Sequence, residues 1–392
     1  MKLLIYSHYF APSIGGVETI VMSLARGLAE LRAEDGTREF EVTLVTQTPR
    51  ENFDDDALTF RVVRQPGFWK LARLVRGMDV AYIAGPSFLP MLLAWLARKP
   101  FVVEHHGYQA ICPNGLLIQQ PERSVCPGHF QAGAYSKCLK CRSSELSPLQ
   151  SCISLLIQFP RKALVWRSVA NISITEHVRR RLDAPRSWVV HYGTGTMPEI
   201  AASSFESART SGKIRFAFVG RLVPEKGIPV FVEAMSQLRD AGFEFEAKLI
   251  GDGPERPRIE SQIAAAKLNS FVKITGYLSG DALAAAVADV SVVVMPSVWE
   301  ETAGLAAMEQ MMRGRLVICS DIGGLAEIVG DTGLKFPAGN ATLLAEYLRR
   351  VIENPALIDE LGSLARTRAT KLFLRSRMIE GHKTIYRELV QK

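Results

Sequence analysis

Residues 290–309 read VSVVVMPSVWEETAGLAAME, and this stretch decides the fold. The run Val290 to Met295 is rich in β-branched residues and predicts a buried strand. A loop beginning at Pro296 follows, and the apolar residues from Leu305 onward predict a helix. A buried strand that passes through a loop into a helix is the repeating unit of a parallel α/β sheet.

The same alternation of strands and helices extends along the chain on both sides of this stretch. It predicts the α/β fold class with doubly wound parallel sheets. In the second half the predicted strands are Ile214 to Val219, Ala247 to Ile250, Val272 to Ile274, Val290 to Met295 and Leu316 to Cys319. In the first half they are Lys2 to Tyr6, Val42 to Thr46, Val80 to Ala84, Phe101 to Glu104, Ala170 to Thr175 and Trp188 to His191.

Two domains are expected, because 392 residues are enough for two cores and a polar segment divides the two strand series. This predicted linker runs from Thr196 to Lys213 and has no apolar periodicity. We predict Rossmann-like domains at 1–200 and 210–373, with a C-terminal helix at 374–392 that completes the first. Two such sheets in tandem place their carboxyl-edge loops across a cleft, where ligands bind.

Composition excludes several classes of protein. The most apolar stretches, Phe88 to Leu96 and Val290 to Met295, are too short to span a bilayer. The first ten residues lack the apolar core of a secretory signal, so we expect a cytoplasmic protein. The net charge of +7 comes without a basic block interleaved with aromatic residues, so no nucleic-acid partner is expected. The positive excess suits a phosphate-bearing ligand or an anionic membrane surface.

Three glycine-containing loops follow predicted strands and are candidates for a phosphate site. Gly15 and Gly16 precede the first predicted helix, and Gly220-Arg221 is followed shortly by Lys226-Gly227. Gly253 lies in a predicted turn after the next strand. Bare glycine backbone allows close approach, and a guanidinium with an ammonium can neutralise a diphosphate. Simple turns and solvated surface charge are the alternative interpretations.

The loop after Met295 carries the strongest pattern, which is a pair of glutamates with seven residues between them. Glu301 lies at the helix entry, and Glu309 lies about one turn inside the helix, where it can accept hydrogen bonds from ribose hydroxyls. The helix N-terminus supplies free N–H groups and a positive dipole end for a phosphate. A surface position for Glu309 is the alternative, but its apolar neighbours indicate a packed helix, in which a carboxylate needs a partner.

In order and spacing these loops resemble those of glycosyltransferase family 4, a group of retaining enzymes with the GT-B fold. The resemblance covers nearly the whole chain, and the Glu301 to Glu309 pair is its most specific part. The other matching motifs are Gly15-Gly16-Val17-Glu18, Gly220-Arg221 with Lys226-Gly227, Gly251-Asp252-Gly253-Pro254, and Gly323-Gly324 with Glu327. The resemblance implies two Rossmann-like domains facing a cleft, and transfer of a sugar from a nucleotide diphosphate donor.

The resemblance also assigns roles to individual residues of the donor site. Arg221 and Lys226 would hold the donor diphosphate, Glu309 the ribose, and Glu301 the donor sugar or its surroundings. Gly15, Gly16 and Gly253 would border the donor. The helix entry that approaches the donor consists of Thr302, Ala303, Gly304 and Leu305. Because the family usually has Pro-Phe-Gly where this chain has Thr302-Ala303-Gly304, the preferred donor sugar stays open.

His106 is the candidate catalytic residue of the first domain. It follows the predicted strand Phe101 to Glu104, and by the resemblance it would face the transferred sugar. A structural histidine is the alternative. No nucleophile stands out in the first domain for a covalent intermediate. The resemblance instead implies reaction on one face of the donor, with the leaving phosphate helping to deprotonate the acceptor.

No catalytic metal is expected. Asp54-Asp55-Asp56 contains Asp-x-Asp, the metal-binding pattern of another glycosyltransferase fold. Here the run lies in a polar loop that no predicted strand enters, so we do not assign it a metal.

Five of the six cysteines fall between Cys112 and Cys152, and four of them lie in a segment at about 108–150 that we interpret as a Cys-rich insertion. Structural zinc is one hypothesis, since closely spaced thiolates suit tetrahedral zinc. Disulfides and free thiols are the alternatives. The candidate zinc ligands are Cys112, Cys126, Cys138 and Cys141.

The stretch from Leu155 to Arg186 combines apolar residues with an excess of arginine and lysine. It indicates either docking on an anionic membrane, at the inner face, or a solvated basic face. A saccharide or lipid-linked acceptor then fits, as in surface polysaccharide or glycolipid synthesis. The competing hypotheses are a GT-B-fold sugar-nucleotide epimerase or hydrolase, and a catalytically silent scaffold that binds sugar nucleotides.

Overall fold

The chain folds into two compact units in a computed structural model that describes residues 1–13, 15–141, 147–195, 197 and 213–390. The first unit comprises Met1–Gly193 and Phe373–Lys392, and the second comprises Thr194–Leu372. The predicted linker lies outside the described residues, apart from Met197 and Lys213.

A seven-stranded parallel sheet forms the core of the first unit. The strands of this unit are β1 (Lys2–Ser7), β2 (Glu41–Thr46), β3 (Arg61–Arg64), β4 (Val80–Ala84), β5 (Phe101–His105), β6 (Ile118–Gln119), β7 (Ser124–Val125), β8 (Ala170–Ser173) and β9 (Ser187–Val189). The strand order in the sheet is β3-β2-β1-β4-β5-β8-β9. The strands β6 and β7 form a separate antiparallel hairpin.

Helices cover this sheet. They are α1 (Gly16–Glu30), α2 (Phe68–Arg76), α3 (Phe88–Leu96), α4 (Tyr135–Lys140), α5 (Pro148–Val165), α6 (Glu176–Leu182) and, at the end of the chain, α14 (Arg375–Val390). The helix α1 packs against α14, whereas α3 packs against both α2 and α5. Right-handed crossovers explain why α1 packs apart from α2, α3 and α5. The connection from β1 to β2 runs along the sheet in one direction, and the connections through α2, α3 and α5 run in the other.

The second unit contains a six-stranded parallel sheet in the order β12-β11-β10-β13-β14-β15. Its strands are β10 (Ile214–Val219), β11 (Phe245–Ile250), β12 (Val272–Gly276), β13 (Val292–Met295), β14 (Leu316–Ser320) and β15 (Leu334–Phe336). Its helices are α7 (Ile228–Asp240), α8 (Arg256–Ala265), α9 (Gly280–Val287), α10 (Leu305–Met312), α11 (Gly323–Val329), α12 (Ala341–Glu353) and α13 (Ala356–Leu372). The central strand β13 is buried along its whole length, as its apolar run predicts.

The strand predictions succeed where apolar residues form a run and fail at two short edge strands that carry charged residues. All the predicted strands are present within a few residues. The sequence analysis missed β3, which has an arginine at each end, and β15, which has three residues with a lysine in the middle. Both lie at the edge of a sheet, where partial exposure weakens the apolar pattern.

Two loops at the carboxyl edge of the second sheet approach each other more closely than any side chain allows. Gly251 has a φ of 146°, and a Cβ placed on it would lie 1.8 Å from the carbonyl oxygen of Gly220. The Gly220 N–H donates to Ile250 O at 3.0 Å, and the Leu222 N–H donates to Asp252 O at 2.9 Å. Backbone contact therefore holds the loops after β10 and β11 together, and glycine is required for it.

We expect Gly251→Ala to lower the free energy of unfolding of the second unit by about 3 kcal/mol or more, since the new methyl group meets rigid backbone. Gly242→Ala is the matched control, because Gly242 has a φ of 80° and open space around its Cβ position. Gly242→Ala should lower the free energy of unfolding by about 1 kcal/mol, from backbone strain alone. Urea unfolding followed by circular dichroism measures both, and equal losses would contradict the steric argument.

Candidate active site

Four loops of the second unit converge because the carboxyl ends of parallel strands meet at one edge of a sheet. The loop after β10 forms a short 3-10 turn at Pro224–Lys226, and the loop after β13 carries Glu301. The loop after β11 contains Gly253, and the loop after β14 leads into α11 at Gly323. The candidate donor residues of this unit thus lie on neighbouring loops of one sheet edge.

Lys226 and Glu301 form an ion pair, with 2.9 Å between Nζ and Oε2. The side chain of Lys226 is 19% exposed and that of Glu301 is 6% exposed, so solvent screens the pair weakly. The Ser297 hydroxyl donates to the other carboxylate oxygen, Oε1. The sequence analysis selected both residues but missed their pairing, although a buried carboxylate calls for such a cation.

Backbone contacts fix the position of this pair. Gly227 has a φ of 65°, and a Cβ there would lie 2.0 Å from Pro296 O, while the Val298 N–H donates to Glu225 O at 3.0 Å. On the other side of the pair, the Gly324 N–H donates to the carbonyl oxygen of Glu301 at 2.6 Å. The loops bearing the lysine and the glutamate are therefore preorganised by main-chain hydrogen bonds.

The helix α10 begins directly after this pair. Gly304 precedes it with a φ of 133°, and the first intrahelical bond runs from the Met308 N–H to Gly304 O. By helix geometry, the N–H groups of Leu305 to Ala307 have no acceptor within the helix, so they can bind an anion. Glu309 lies in the second turn. Burial raises the pKa of its carboxyl group, and the positive charge of Arg313 partly opposes this rise.

Arg315, which the sequence analysis missed, anchors the far end of α10. Its guanidinium is buried and donates from Nε to Val290 O at 2.9 Å. It also donates to the side chain of Gln310 and to the carbonyl oxygen of Val287. Burial lowers its pKa to about 9. These bonds tie the helix that carries Glu309 to the segment that enters β13.

The remaining donor candidates of this unit differ in their surroundings. Arg221 is exposed on the loop after β10. A Cβ on Gly253 would lie 2.4 Å from Leu222 O, so packing of two loops accounts for this glycine without a ligand. Thr302 is half-buried and Ala303 is buried at the entry to α10. A surface pocket of about 550 Å³ lies against β11, β12 and α8, and none of these candidate donor residues lines it.

In the first unit, the two adjacent histidines at the end of β5 have different environments. His105 is fully buried, with Nε2 at 2.9 Å from Asn171 Oδ1, and burial lowers its pKa to about 4. His106 lines a pocket and places Nδ1 at 2.7 Å from the hydroxyl oxygen of Tyr192. Burial lowers the pKa of His106 as well, while the neighbouring charge of Glu104 opposes this effect. Of the two, His106 is the one that a ligand can reach.

A buried carboxylate lies behind His106, and the sequence analysis did not single it out. Glu104 Oε2 is 3.7 Å from His106 Nε2, and Oε1 is 3.6 Å from Nε2 of His382 on α14. The hydroxyl of Tyr82 donates to the same carboxylate. Burial opposes ionisation of Glu104, but the charges of the two histidines and the hydrogen bonds lower its pKa to about 2.

The pocket at His106 has a volume of about 280 Å³. Arg161 reaches it from α5, and among the described residues its Nε is buried without a hydrogen-bond partner. Its Nη1 donates to the side chain of Gln158 at 3.0 Å. Glu18 lines the same pocket, just after Gly15 and Gly16 at the start of α1. The pocket thus offers an imidazole, a carboxylate and a guanidinium to a polar ligand.

The four cysteines of the proposed zinc site line one cavity of about 20 Å³, which has room for roughly one water-sized occupant. None of the four forms a disulfide bond; the Cys112 thiol donates to Asn114 Oδ1, and Cys141 Sγ accepts from the Gln120 N–H. Burial, followed by the charges of the other three, raises the pKa of Cys138 to about 11. Within the part of the chain that the structure describes, no group of three or more His, Cys, Asp or Glu side chains is arranged to hold a metal ion.

The aspartate run of the first unit forms ion pairs. Arg64 forks onto the carboxylate of Asp55 with both contacts at 2.8 Å, and Arg50 contacts Asp56 at 2.8 Å. These arginines account for the charge of the loop.

No helix within the described ranges has the length and hydropathy that a bilayer-spanning segment needs.

Comparison with known proteins relates the chain to sugar transferases. The family model of glycosyl transferases, group 1, matches residues 199–368. An uncharacterized glycosyltransferase of Methanocaldococcus jannaschii is 30% identical over 395 residues, which is 99% of each chain. The 2-deoxystreptamine glucosyltransferase of Streptomyces kanamyceticus is 38% identical over 141 residues, which is 36% of each chain, so the match spans well under half of that relative.

Solved structures share the fold. The Anabaena protein HepE, determined in complex with UDP and glucose, superposes with a TM-score of 0.72 at 18% identity and covers 100% of both chains. Together with the two parallel sheets, this similarity identifies the fold as GT-B, as the sequence predicts.

The buried histidine gives a pH-dependent prediction. His105 has an ordinary pKa of 6.5 when unfolded and about 4 when folded, so the unfolded chain binds the extra proton between these values. The contribution of neutral His105 to stability is therefore present above pH 6.5 and is lost as the pH falls toward 4. In ¹³C-histidine NMR spectra, the resonance missing from His105→Gln should titrate near pH 4. A midpoint near 6.5 would contradict the burial argument.

Proposed function

We propose, from the premise that the chain belongs to the glycosyl transferases of group 1, that it is a retaining enzyme of family 4 that uses a nucleoside diphosphate sugar. One observation carries this proposal: Lys226, Glu301, Glu309 and the N-terminus of α10 lie together at the carboxyl edge of the second sheet. A cation and free helix N–H groups suit a diphosphate, and a partly buried carboxylate suits ribose hydroxyls.

The ion pair gives the proposed donor site its chemistry. Arg221 and Lys226 bind the diphosphate, and Lys226 keeps one contact to Glu301 while it takes a phosphate oxygen. Glu301 then lies beside the donor sugar, and Glu309 accepts from the ribose. As the glycosidic bond breaks, negative charge grows on the diphosphate, and these fixed cations stabilise it without needing to reorganise. The backbone of Thr302, Ala303, Gly304 and Leu305 supports the same group.

Catalysis in this proposal rests on positioning and charge stabilisation. The leaving phosphate oxygen accepts the proton of the acceptor hydroxyl on the same face of the sugar, so the anomeric configuration is retained. His106, whose Nε2 faces Glu104, binds a sugar hydroxyl through Nδ1 once that nitrogen releases the hydroxyl of Tyr192. The charge already present at the site means that the scheme uses no catalytic metal.

The acceptor is proposed to be a saccharide or a lipid-linked saccharide, in surface polysaccharide or glycolipid synthesis. The pocket at His106 supports this choice, because it is open and contains the carboxylate of Glu18 and the unpartnered Nε of Arg161. A guanidinium in this position favours an acceptor that bears a phosphate or a carboxylate.

The donor proposal is tested by a thermal-shift panel of UDP, GDP and ADP sugars. A ligand that binds the folded state raises the melting temperature, so one nucleotide should give a selective upward shift. Lys226→Ala and Glu309→Ala should abolish that shift, and Lys226→Ala should lower turnover at least about a hundredfold. Lys273→Ala and Glu346→Ala, at exposed positions of the same unit, are the matched controls and should leave both unchanged.

Each other outcome of this experiment has a defined meaning. No shift with any donor would overturn the proposal in favour of a silent scaffold. A shift accompanied by free or epimerised sugar in the absence of acceptor would indicate a hydrolase or epimerase. Both Lys226→Ala and Lys226→Met leave the carboxylate of Glu301 unpaired, but Lys226→Met keeps the packing. The ligand-induced change in melting temperature is therefore compared in both variants.

A structural zinc ion is proposed for Cys112, Cys126, Cys138 and Cys141. The shared cavity and the chemistry of four thiols support it. Zinc binding would require Cys112 to release Asn114 and the side chains to turn inward, with loss of the thiol protons. Bound zinc would hold the segment between β5 and α5 in one conformation.

Metal analysis of protein purified without added zinc should give about one equivalent, and Cys138→Ser with Cys141→Ser should remove it. The control is Cys319→Ser, since Cys319 is buried in the second unit, away from this cavity. A content below ~0.1 equivalent, or oxidised pairs found by mass spectrometry, would reject zinc in favour of free thiols or disulfides.

A further inference from the structure

The helix α5 exposes an apolar stripe in addition to the apolar residues that it buries. Leu149 is 70% exposed and Leu156 is 66% exposed, and Ile153 lies between them on the same face. The opposite face buries Leu155 together with the polar side chains of Ser151 and Gln158. A surface helix normally buries its apolar stripe, so the exposed stripe of α5 calls for an apolar environment outside the protein.

The neighbouring helices extend this apolar surface. Trp69 at the start of α2 is 82% exposed and stacks edge-on against Phe68, with ring centroids 5.1 Å apart. Trp95 and Leu96 are exposed at the end of α3, which packs between α2 and α5. Tryptophan is typical of the boundary between hydrocarbon and water. We call the exposed surface of α2, α3 and α5 the apolar face.

The charged side chains on the three helices of the apolar face are all basic. No Asp or Glu occurs in the sequence of α2, α3 or α5. Exposed basic residues surround the aromatic side chains: Lys70, Arg73 and Arg76 on α2, Arg98 after α3, and Arg167 after α5. The guanidinium carbon of Arg167 lies 5.9 Å from the ring centroid of Trp95.

We infer that the apolar face docks on an anionic lipid bilayer. Exposed apolar side chains enter the boundary between headgroups and acyl chains, and the surrounding cations meet the lipid phosphates. Arginines that all carry the same sign would repel one another across a symmetric contact with a second copy, whereas an anionic bilayer neutralises them. The inference does not depend on which sugar is transferred.

This placement differs from the predicted run at Leu155 to Arg186. Arg181 and Arg186 donate to main-chain carbonyl oxygens at Cys126 and Ser168, and Arg179 pairs with Glu176. The second half of that run therefore stabilises the unit itself. The docking residues lie on α5 and just after it, where they overlap the first part of that run, and on two helices earlier in the chain.

Sedimentation of the full chain with phosphatidylcholine vesicles that contain phosphatidylglycerol tests the inference. We expect binding at low salt, weaker binding at high salt and little binding to phosphatidylcholine alone. The double variants Leu149→Ser with Leu156→Ser, and Arg73→Gln with Arg76→Gln, should each bind about tenfold less. Matched controls with wild-type binding are Tyr277→Ser with Leu364→Ser, and Lys273→Gln with Lys371→Gln, all exposed in the second unit.

Absence of the wild-type protein from the vesicle pellet, or equal losses in the controls, would overturn the inference. So would a dimer that the Leu149→Ser and Leu156→Ser substitutions dissociate in light scattering, since a second copy would then cover the apolar face. Donor-induced thermal shifts are measured on the same variants and should match those of the wild type. Failure of docking and failure of the proposed transfer reaction are thereby distinguished.

Discussion

Backbone contact between loops at the carboxyl edge of the second sheet is the constraint on which the candidate donor site depends. Side chains cannot occupy the Cβ positions of Gly227, Gly251 and Gly323, because each would lie within 2.7 Å of main-chain atoms of another loop. These contacts set the spacing of the loops before any ligand arrives. A site whose geometry is fixed by the main chain needs little reorganisation to stabilise charge, and electrostatic catalysis requires this property.

The same constraint explains why a buried ion pair is tolerated. Removing Lys226 and Glu301 from water is costly, and good geometry with further hydrogen bonds has to offset that cost. Ser297 supplies one such bond, and the main-chain bond from Gly324 holds the glutamate backbone. The pair holds a cation at the sheet edge in a defined position. Glu301 already orients the ammonium of Lys226, so an incoming diphosphate meets a cation that is held in place.

The sequence predicted well what depends on local pattern. The apolar runs predicted the central strands, and glycine with charged residues after those strands identified the loops that converge. The pairing of Lys226 with Glu301, the role of Arg315 and the position of Glu104 behind His106 are long-range contacts, which no spacing along the chain encodes. The different roles of His105 and His106 were also visible only in the structure, since these two consecutive residues place one side chain in the core and the other along a pocket. The basic run Leu155 to Arg186 mixes two kinds of arginine, because arginines that bind carbonyl oxygens have the same sequence signature as exposed ones.

In the first unit, α5 connects three features that the sequence presented separately. Arg161 enters the pocket at His106, and Phe159 packs against Phe130 and Tyr135 of the cysteine-rich segment, with ring centroids 5.3 and 5.1 Å away. The exposed stripe that includes Leu156 faces outward. Leu156 and Arg161 lie on the same helix with Pro160 between them, so contact of this stripe with a bilayer would also affect the position of the guanidinium in the pocket. A metal-stabilised segment beside Phe159 would hold α5 more firmly, because the aromatic cluster would lose its freedom to repack.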